Sequence, residues 1–236
     1  MSLADLFPTL TLEKSQRRSI AIGVYSDDRI TVRAPLRVSL RDIERFVIEK
    51  TPWIQKRLEH NRRHREKFPP MTCKEGDSIL YLGQDYRLTL LKEKKQKVWL
   101  DQNQLCLSLK QDSAPKETVI KLLHQWFKAQ ATDILQDRVD LYAPLIPKPF
   151  KGIRFRRMKS RWGSCSYHGE LCFNWLLIMA PIEVVDYVVI HELCHLVHHN
   201  HSQKFWNLVH TYMPDYKQHK EWLKQHGNRL MLGSGK

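Results

Sequence analysis

The sequence predicts an α+β fold, and three observations predict it. Short strand-like runs occur within positions 19–34 and 78–109. A helical stripe of apolar residues follows Pro115. Finally, a largely apolar run, Val184 to Ile190, leads straight into His191-Glu192-Leu193-Cys194-His195. The expected division is a β-rich N-terminal domain over 1–112 and a second domain over 113–236 built around that apolar helix. A chain of 236 residues has ample core for one large domain or two small ones.

The elements follow in order. Ser19–Tyr25 and Ile30–Ala34 read as strands across an Asp27-Asp28 turn. Ser39, with Asp42 three residues on, resembles a capping box, and Ile43, Phe46 and Val47 continue as a helical stripe. Thr51-Pro52 reads as a new cap with proline in the first turn, so the helix is expected to break and restart there. Ser78–Leu82, Tyr86–Leu91, Val98–Leu100 and Leu105–Leu109 are expected strands. Ser113 and Pro115 open a long helix with Val119, Leu122, Leu123, Trp126, Phe127 and Ile134 on its apolar side, ending before Pro144. Ile153–Arg157 and Glu170–Trp175 are expected strands, with Gly163 and Ser164 in a turn between them. Short helices fit Ser202–Tyr212 and Asp215–His226, and the Gly-Ser-Gly tail is expected to be disordered.

The pentapeptide carries the chemistry. Residues four apart share a helix face, so His191 and His195 can turn ring nitrogens toward one ion. Glu192 lies one residue round and reaches the same ion's water without being a ligand. Zinc on neutral nitrogens keeps an open position and lowers its water's pKa. A catalytic zinc takes a third protein ligand. His201 lies six residues past His195, giving HExxHxxxxxH, the spacing of metzincin proteases. His198 is disfavoured, because seven residues span about 10.5 Å of helix axis from His191. His198 and His199 are therefore expected beside the metal or at the surface. If the helix stops near His199, the chain can fold back and deliver His201. Metzincins use glycine for that reversal, and none lies between His191 and His201. Asn200 is the expected substitute, in the left-handed region. A downstream glutamate ligand would have to be Glu221, which ranks behind His201.

Further residues carry a resemblance. Lys159-Ser160-Arg161-Trp162-Gly163-Ser164-Cys165-Ser166, Phe173-Asn174-Trp175, Ala180-Pro181 and Asp186-Tyr187-Val188-Val189 flank the pentapeptide, and Asn200-His201-Ser202 with Phe205-Trp206 follows it. With Trp53-Ile54, Tyr81-Leu82-Gly83, Pro214-Asp215 and Trp222-Leu223, this pattern resembles the YgjP-like metallopeptidases, relatives of SprT-like proteases that act on DNA–protein crosslinks. The resemblance implies a zincin-like fold, one Zn2+ per chain on His191, His195 and His201, and Glu192 as base. It implies no particular substrate.

Composition and charge bound the partners. Thirty-nine Lys and Arg oppose twenty-five Asp and Glu, a formal +14 that favours polyanions and also aids solubility. Lys151, Arg154, Arg156, Arg157, Lys159 and Arg161 form a run without a carboxylate. Arg154, Arg156, Arg157 and Arg161, with Asn174 on the next strand, are the expected substrate contacts. Segment 151–161 also offers a nucleic acid or nucleotide surface. A second cluster, Lys56 to Lys67, includes Glu59 and Glu66 and reads as a solvated face, as does Lys92–Lys97. Five cysteines without a CxxC pair, and no signal-peptide or membrane-length apolar run, lead to an expectation of reduced thiols and a cytoplasmic protein with no membrane partner.

No phosphate loop, GxSxG elbow or dinucleotide fingerprint is present. Ser164 beside Cys165 reads as a turn rather than a nucleophile, and Tyr212 and Tyr216 as packing rather than oxyanion donors. The sequence thus points to a zinc metallohydrolase acting on a peptide or protein, with strand Glu170–Trp175 at the cleft edge. Two other classes stay open. One is a metal-dependent nucleoside triphosphate pyrophosphatase, the other a nucleic-acid-binding module with a structural zinc.

Overall fold

The computed structural model describes residues 7–25, 27–67, 72–111, 114–158 and 161–230. Ser113, Lys159 and the tail glycines therefore lie outside the described residues. The chain divides between residues 70 and 71 into two compact units.

The first unit is a three-stranded sheet and a long helix. Strand β3 (Ile30–Pro35) pairs in parallel with β1 (Leu10–Ser15) and antiparallel with β2 (Ala21–Val24). Sequence reading missed β1. Its partner is not a hairpin neighbour but a strand reached across β2, with Leu10 opposite Ile30. Helix α1 (Leu40–Lys67) opens on the expected cap, where Ser39 Oγ accepts the Asp42 N–H at 3.1 Å and donates to the Asp42 carboxylate at 2.6 Å.

Contrary to expectation, α1 runs unbroken through Pro52. An interior proline costs about 3 kcal/mol. Fully burying an aliphatic side chain stabilises by about 1.5–3 kcal/mol, and Ile43, Val47 and Ile54 are all fully buried along one stripe spanning the proline. Burial on both sides of Pro52 outweighs the lost hydrogen bond.

The second unit opens with a four-stranded sheet in the order β4-β5-β7-β6: β4 (Ser78–Tyr81), β5 (Gln84–Lys92), β6 (Lys97–Asp101) and β7 (Gln104–Leu109). Helix α2 (Lys116–Tyr142) buries Val119, Leu123, Phe127, Ala131, Leu135 and Val139, a strict four-residue stripe. Leu122, Trp126 and Ile134 flank it, half-buried. The expected boundary at 112/113 falls within this unit, where Leu88, Leu105 and Leu107 share one core with α2.

A second sheet of three strands follows: β8 (Gly152–Arg156), β9 (Gly163–Cys165) and β10 (Glu170–Asn174), in the order β8-β10-β9. Two expectations change here. Strand β10, expected at the cleft edge, is the central strand, parallel to β8 and antiparallel to β9. Gly163 and Ser164, expected in a turn, lie in β9, one of the two edge strands of this sheet. Three residues including a glycine show no alternation, so pairing with β10 alone makes them a strand. Helices α3 (Ile182–Cys194), α4 (Gln203–Tyr212) and α5 (Tyr216–His226) complete the unit.

Three local features fix α3. Pro181 sits at its N-terminus, a position where proline's missing donor costs nothing. The β4–β5 hairpin docks just before it, with Leu82 N–H on Ile178 O (2.8 Å) and Gly83 N–H on Met179 O (3.2 Å). Leu82 and Gly83 both have positive φ, +49° and +78°, the geometry of a tight two-residue turn. Along its length, Asp186 is held by Arg138 and Tyr142 of α2. No helix among the described residues is long and apolar enough to cross a membrane.

Candidate metal centre

Helix α3 is buried over almost every residue from Val184 to Cys194. It delivers His191 and His195 to one face, as their spacing requires. The regular helix ends at Cys194, with His195 as its C-terminal cap, earlier than the expected stop near His199. The reversal also differs from expectation. Positive φ among described non-glycine residues occurs at Asp28, Cys73, Leu82 and Gln102, and not at Asn200. Instead, turn hydrogen bonds from Leu196 N–H to Leu193 O and from Val197 and His198 N–H to Cys194 O wind the chain off the helix. The Asn200 side chain then accepts the Ser202 N–H at 3.3 Å just before α4 begins.

That path brings His201 back onto α3. His191, His195 and His201 offer ring nitrogens all within 4.8 Å of one another. His201 Nε2 lies 3.1 Å from His191 Nε2. Two nitrogens each 2.0–2.1 Å from one tetrahedral zinc stand roughly 3.3 Å apart, so the spacing fits that ion. The donor set fits as well. His195 Nδ1 lies 3.0 Å from the carbonyl oxygen of His198, which assigns the proton to Nδ1 and leaves Nε2 free as a ligand. Burial pushes His191 down to about 3 and also lowers His195, so both rings are neutral, the form that binds metal. His198 thus serves through its backbone. Glu221 is engaged by Lys224 and Gln225 on α5 and is absent from the cluster.

Sequence reading gave no role to Phe205. Its fully buried ring stands 4.9 Å from His191, 4.4 Å from His195 and 4.9 Å from His201, a common floor for all three imidazoles. Trp206 stacks on His201 at 5.5 Å and 24°, and Tyr216 stacks on Trp206 at 5.3 Å and 15°. The signal was a Phe-Trp pair four and five residues past His201, on the first turn of the next helix. Tyr212 instead donates its hydroxyl to Leu145 O at 2.8 Å.

Glu192 is buried beside the triad, only 5% exposed. Burial raises its carboxyl to about 8, against the opposing pull of the Arg161 cation and a Cys165 backbone hydrogen bond. A cleft of about 420 Å³ opens over it, lined by the three histidines, Glu192, strand β9, Tyr187, Val188 and Leu223. Cys165 faces this cleft, and burial with the nearby Glu192 charge pushes its thiol up to about 11, so it stands protonated. Cys194 is a fully buried core thiol, pushed up to about 12.

The basic segment does not gather at this site. Arg161 lines the cleft. Arg154 and Arg156 point outward from β8, Arg154 toward Glu170 at 3.6 Å, and Arg157 is exposed beyond them. Asn174 is fully buried. Its amide donates to the carbonyls of Met158 (3.0 Å) and Arg161 (3.4 Å) and accepts the Leu176 N–H (3.2 Å). It ties down the backbone leading into β9.

No curated protein sequence matches this chain. Among the solved structures similar to part of it are two metallopeptidase zymogens. Abylysin of Pyrococcus abyssi is 25% identical with a TM-score of 0.35, over 42% of this chain and 96% of its own. Jannalysin of Methanocaldococcus jannaschii is 23% identical with a TM-score of 0.33, over 40% of this chain and 94% of its own. The family model described as YgjP-like, metallopeptidase domain, matches residues 18–226. With nearly its whole length covered by that match, the chain belongs to the YgjP-like metallopeptidase family.

Proposed function

We propose that this metallopeptidase is zinc-dependent, with His191, His195 and His201 as the ligands of one zinc and Glu192 as the general base. The observation that supports it best is the convergence of three ring nitrogens beside a buried carboxylate at an open strand edge. Bound zinc supplies Lewis acidity, which acidifies water and polarises a carbonyl.

The protein's own groups do the rest. Glu192 takes the proton from the attacking water and later gives it to the leaving nitrogen. The burial of Glu192 beside the triad, opposed by the Arg161 cation, sets the balance between holding and releasing that proton. The His198 carbonyl holds His195 in the ligand tautomer. Strand β9 presents its outer edge to an extended peptide, beside the Cys165 backbone group that Glu192 holds, and the peptide adds there as a further strand next to the triad. Arg161, the one expected substrate contact that lines the cleft, favours the ionised form of Glu192 and meets the substrate from the rim. Every residue of this machinery lies within 113–236, the segment expected to be catalytic. The five free cysteines fit a reducing, cytoplasmic setting.

The test pairs wild type with Glu192→Gln against unfolded proteins, with and without DNA, and against nucleoside triphosphates. The expected result is peptide cleavage by wild type alone, with about one zinc per chain in both proteins. Glu192-dependent release of phosphate or pyrophosphate without peptide cleavage overturns the reading. Cleavage only with DNA would make the outward cations Arg154, Arg156 and Arg157 a recruiting surface, with a steep salt dependence.

A further inference from the structure

We infer that Gly163 is the positioning residue for Glu192: the missing side chain at this edge-strand position is the space that the carboxylate occupies. This rests on the reading of Glu192 as the base. A Cβ at Gly163 would lie 2.5 Å from Glu192 Cγ, 2.6 Å from its Oε1 and 2.8 Å from its Cδ. A Cβ carbon cannot form a hydrogen bond and does not come that close to unbonded heavy atoms, so either the strand or the carboxylate must move.

The backbone does not call for glycine here. Positive φ among the described glycines occurs at Gly76, Gly83 and Gly169, not at Gly163. The requirement is one of space alone.

The strand has little freedom to retreat. Ser166 N–H donates to Glu170 O at 2.9 Å, and Asn174 N–H donates to Trp162 O at 2.8 Å. These bonds clamp β9 to β10 at both ends. The buried Asn174 amide holds the preceding carbonyl of Arg161 as well. Helix α3 cannot retreat either, since Leu193 and Cys194 beside Glu192 are fully buried. The flexible part is the Glu192 side chain. An added methyl therefore displaces the carboxylate and leaves both backbones in place.

The same pairing shows where the carboxylate is anchored. Residues 162, 164 and 166 turn their polar groups toward β10, so Gly163 and Cys165 turn theirs to the open edge. Glu192 takes the backbone hydrogen bond of Cys165. The carboxylate thus lies over Gly163 and is held by the Cys165 backbone at the same edge.

The test uses zinc-loaded full-length protein carrying Gly163→Ala, Glu192→Asp, or both. Gly163→Ala should keep its zinc and its KM but lose kcat by roughly 10²-fold, the scale of a general base. The aspartate carboxylate sits one methylene back from the strand. Its loss should therefore not add to that of Gly163→Ala, and the double variant should be no slower than Gly163→Ala alone. A second readout needs no substrate. Amide exchange at Cys165 should accelerate in Gly163→Ala to the rate seen in Glu192→Ala, while Ser164 and Ser166 keep their protection. Wild-type kcat in Gly163→Ala, additive losses, unchanged Cys165 exchange, or equal acceleration at Ser164 would each overturn the inference. If wild type cleaves no peptide, the peptidase reading fails by itself, and the exchange rates still decide the role of Gly163.

Discussion

Arg138 on α2 grips Asp186 on α3 with both ends of its guanidinium, Nε to Oδ1 at 2.5 Å and Nη2 to Oδ2 at 2.7 Å. Tyr142 closes the network, its hydroxyl 3.0 Å from Asp186 Oδ2 and 3.1 Å from Arg138 Nη2. Asp186 lies five residues before His191, so this contact fixes the rotation of the helix that presents the histidines.

Removing one partner of such a pair leaves the other charged and unpaired. Asp186→Ala should destabilise the protein by about 3–5 kcal/mol. The joint change Arg138→Met with Asp186→Leu should cost much less, because neither charge remains. Urea denaturation of the three proteins checks this, and equal losses for single and double variants would show that the pair is not the cause.

Phe205 is predicted to govern metal affinity without touching the metal. Phe205→Leu keeps an apolar floor but not the ring against three imidazoles, and should weaken zinc binding roughly ten- to hundredfold, the range for groups that orient ligands. Phe205→Ala should also cost about 3–5 kcal/mol of stability in the metal-free protein. Competition with a chelator measures the first, and thermal unfolding of the apo-protein the second.

Acid should release a clamp in the first unit. Arg65 donates to Asp28 through two guanidinium nitrogens, one at 2.9 Å, and Asn61 donates at 3.4 Å. The Arg65 hydrogen bond, first, and then Asn61 hold the Asp28 carboxyl below its ordinary 3.8. A carboxyl lowered by folding contributes stability that is fully present above its unfolded value and lost as pH falls through its folded value. The stability difference between wild type and Asp28→Asn should therefore hold from neutral pH to about 5 and shrink below about 4. A difference independent of pH from 7 to 2.5 would count against the clamp.

Two left-handed glycines should answer differently to alanine. Gly76 has φ +83° with nothing near its missing Cβ, so Gly76→Ala should cost only the conformational strain, about 1–2 kcal/mol. At Gly83, φ is +78° and the added carbon meets Pro181 at 2.7 Å from Cγ, 2.9 Å from Cα and 3.0 Å from N. Gly83→Ala should cost clearly more and should weaken zinc binding, since Pro181 starts α3. Equal melting temperatures for the two variants would remove Gly83 from the support of that helix.

The convergence of the three histidines was legible because it is written locally. Helical periodicity puts His191 and His195 on one face, and ten residues from His191 to His201 leave few ways to close a tetrahedral site. The turn between them was not legible, because Asn200 is only one way to reverse a chain, and backbone hydrogen bonds onto Leu193 and Cys194 were another. The division of the basic segment was not legible for a related reason. Alternation along β8 sends Arg154 and Arg156 to one exposed face, while Arg161, beyond the strand, enters the cleft.

What the sequence determined by itself was the α+β class, most element positions, the three converging histidines and Glu192 beside them. Each follows from periods of two or 3.6 residues, which a linear string displays. What only the tertiary structure decided was which strand is the edge, whether α1 survives Pro52, and what surrounds the triad. Those depend on pairing and burial between residues far apart in the chain. Strand β9 is three residues that become a strand only against β10, and Phe205 becomes the floor of the site only once α4 packs back on α3. Gly163 matters because of what lies across from it, and no local pattern records an empty space.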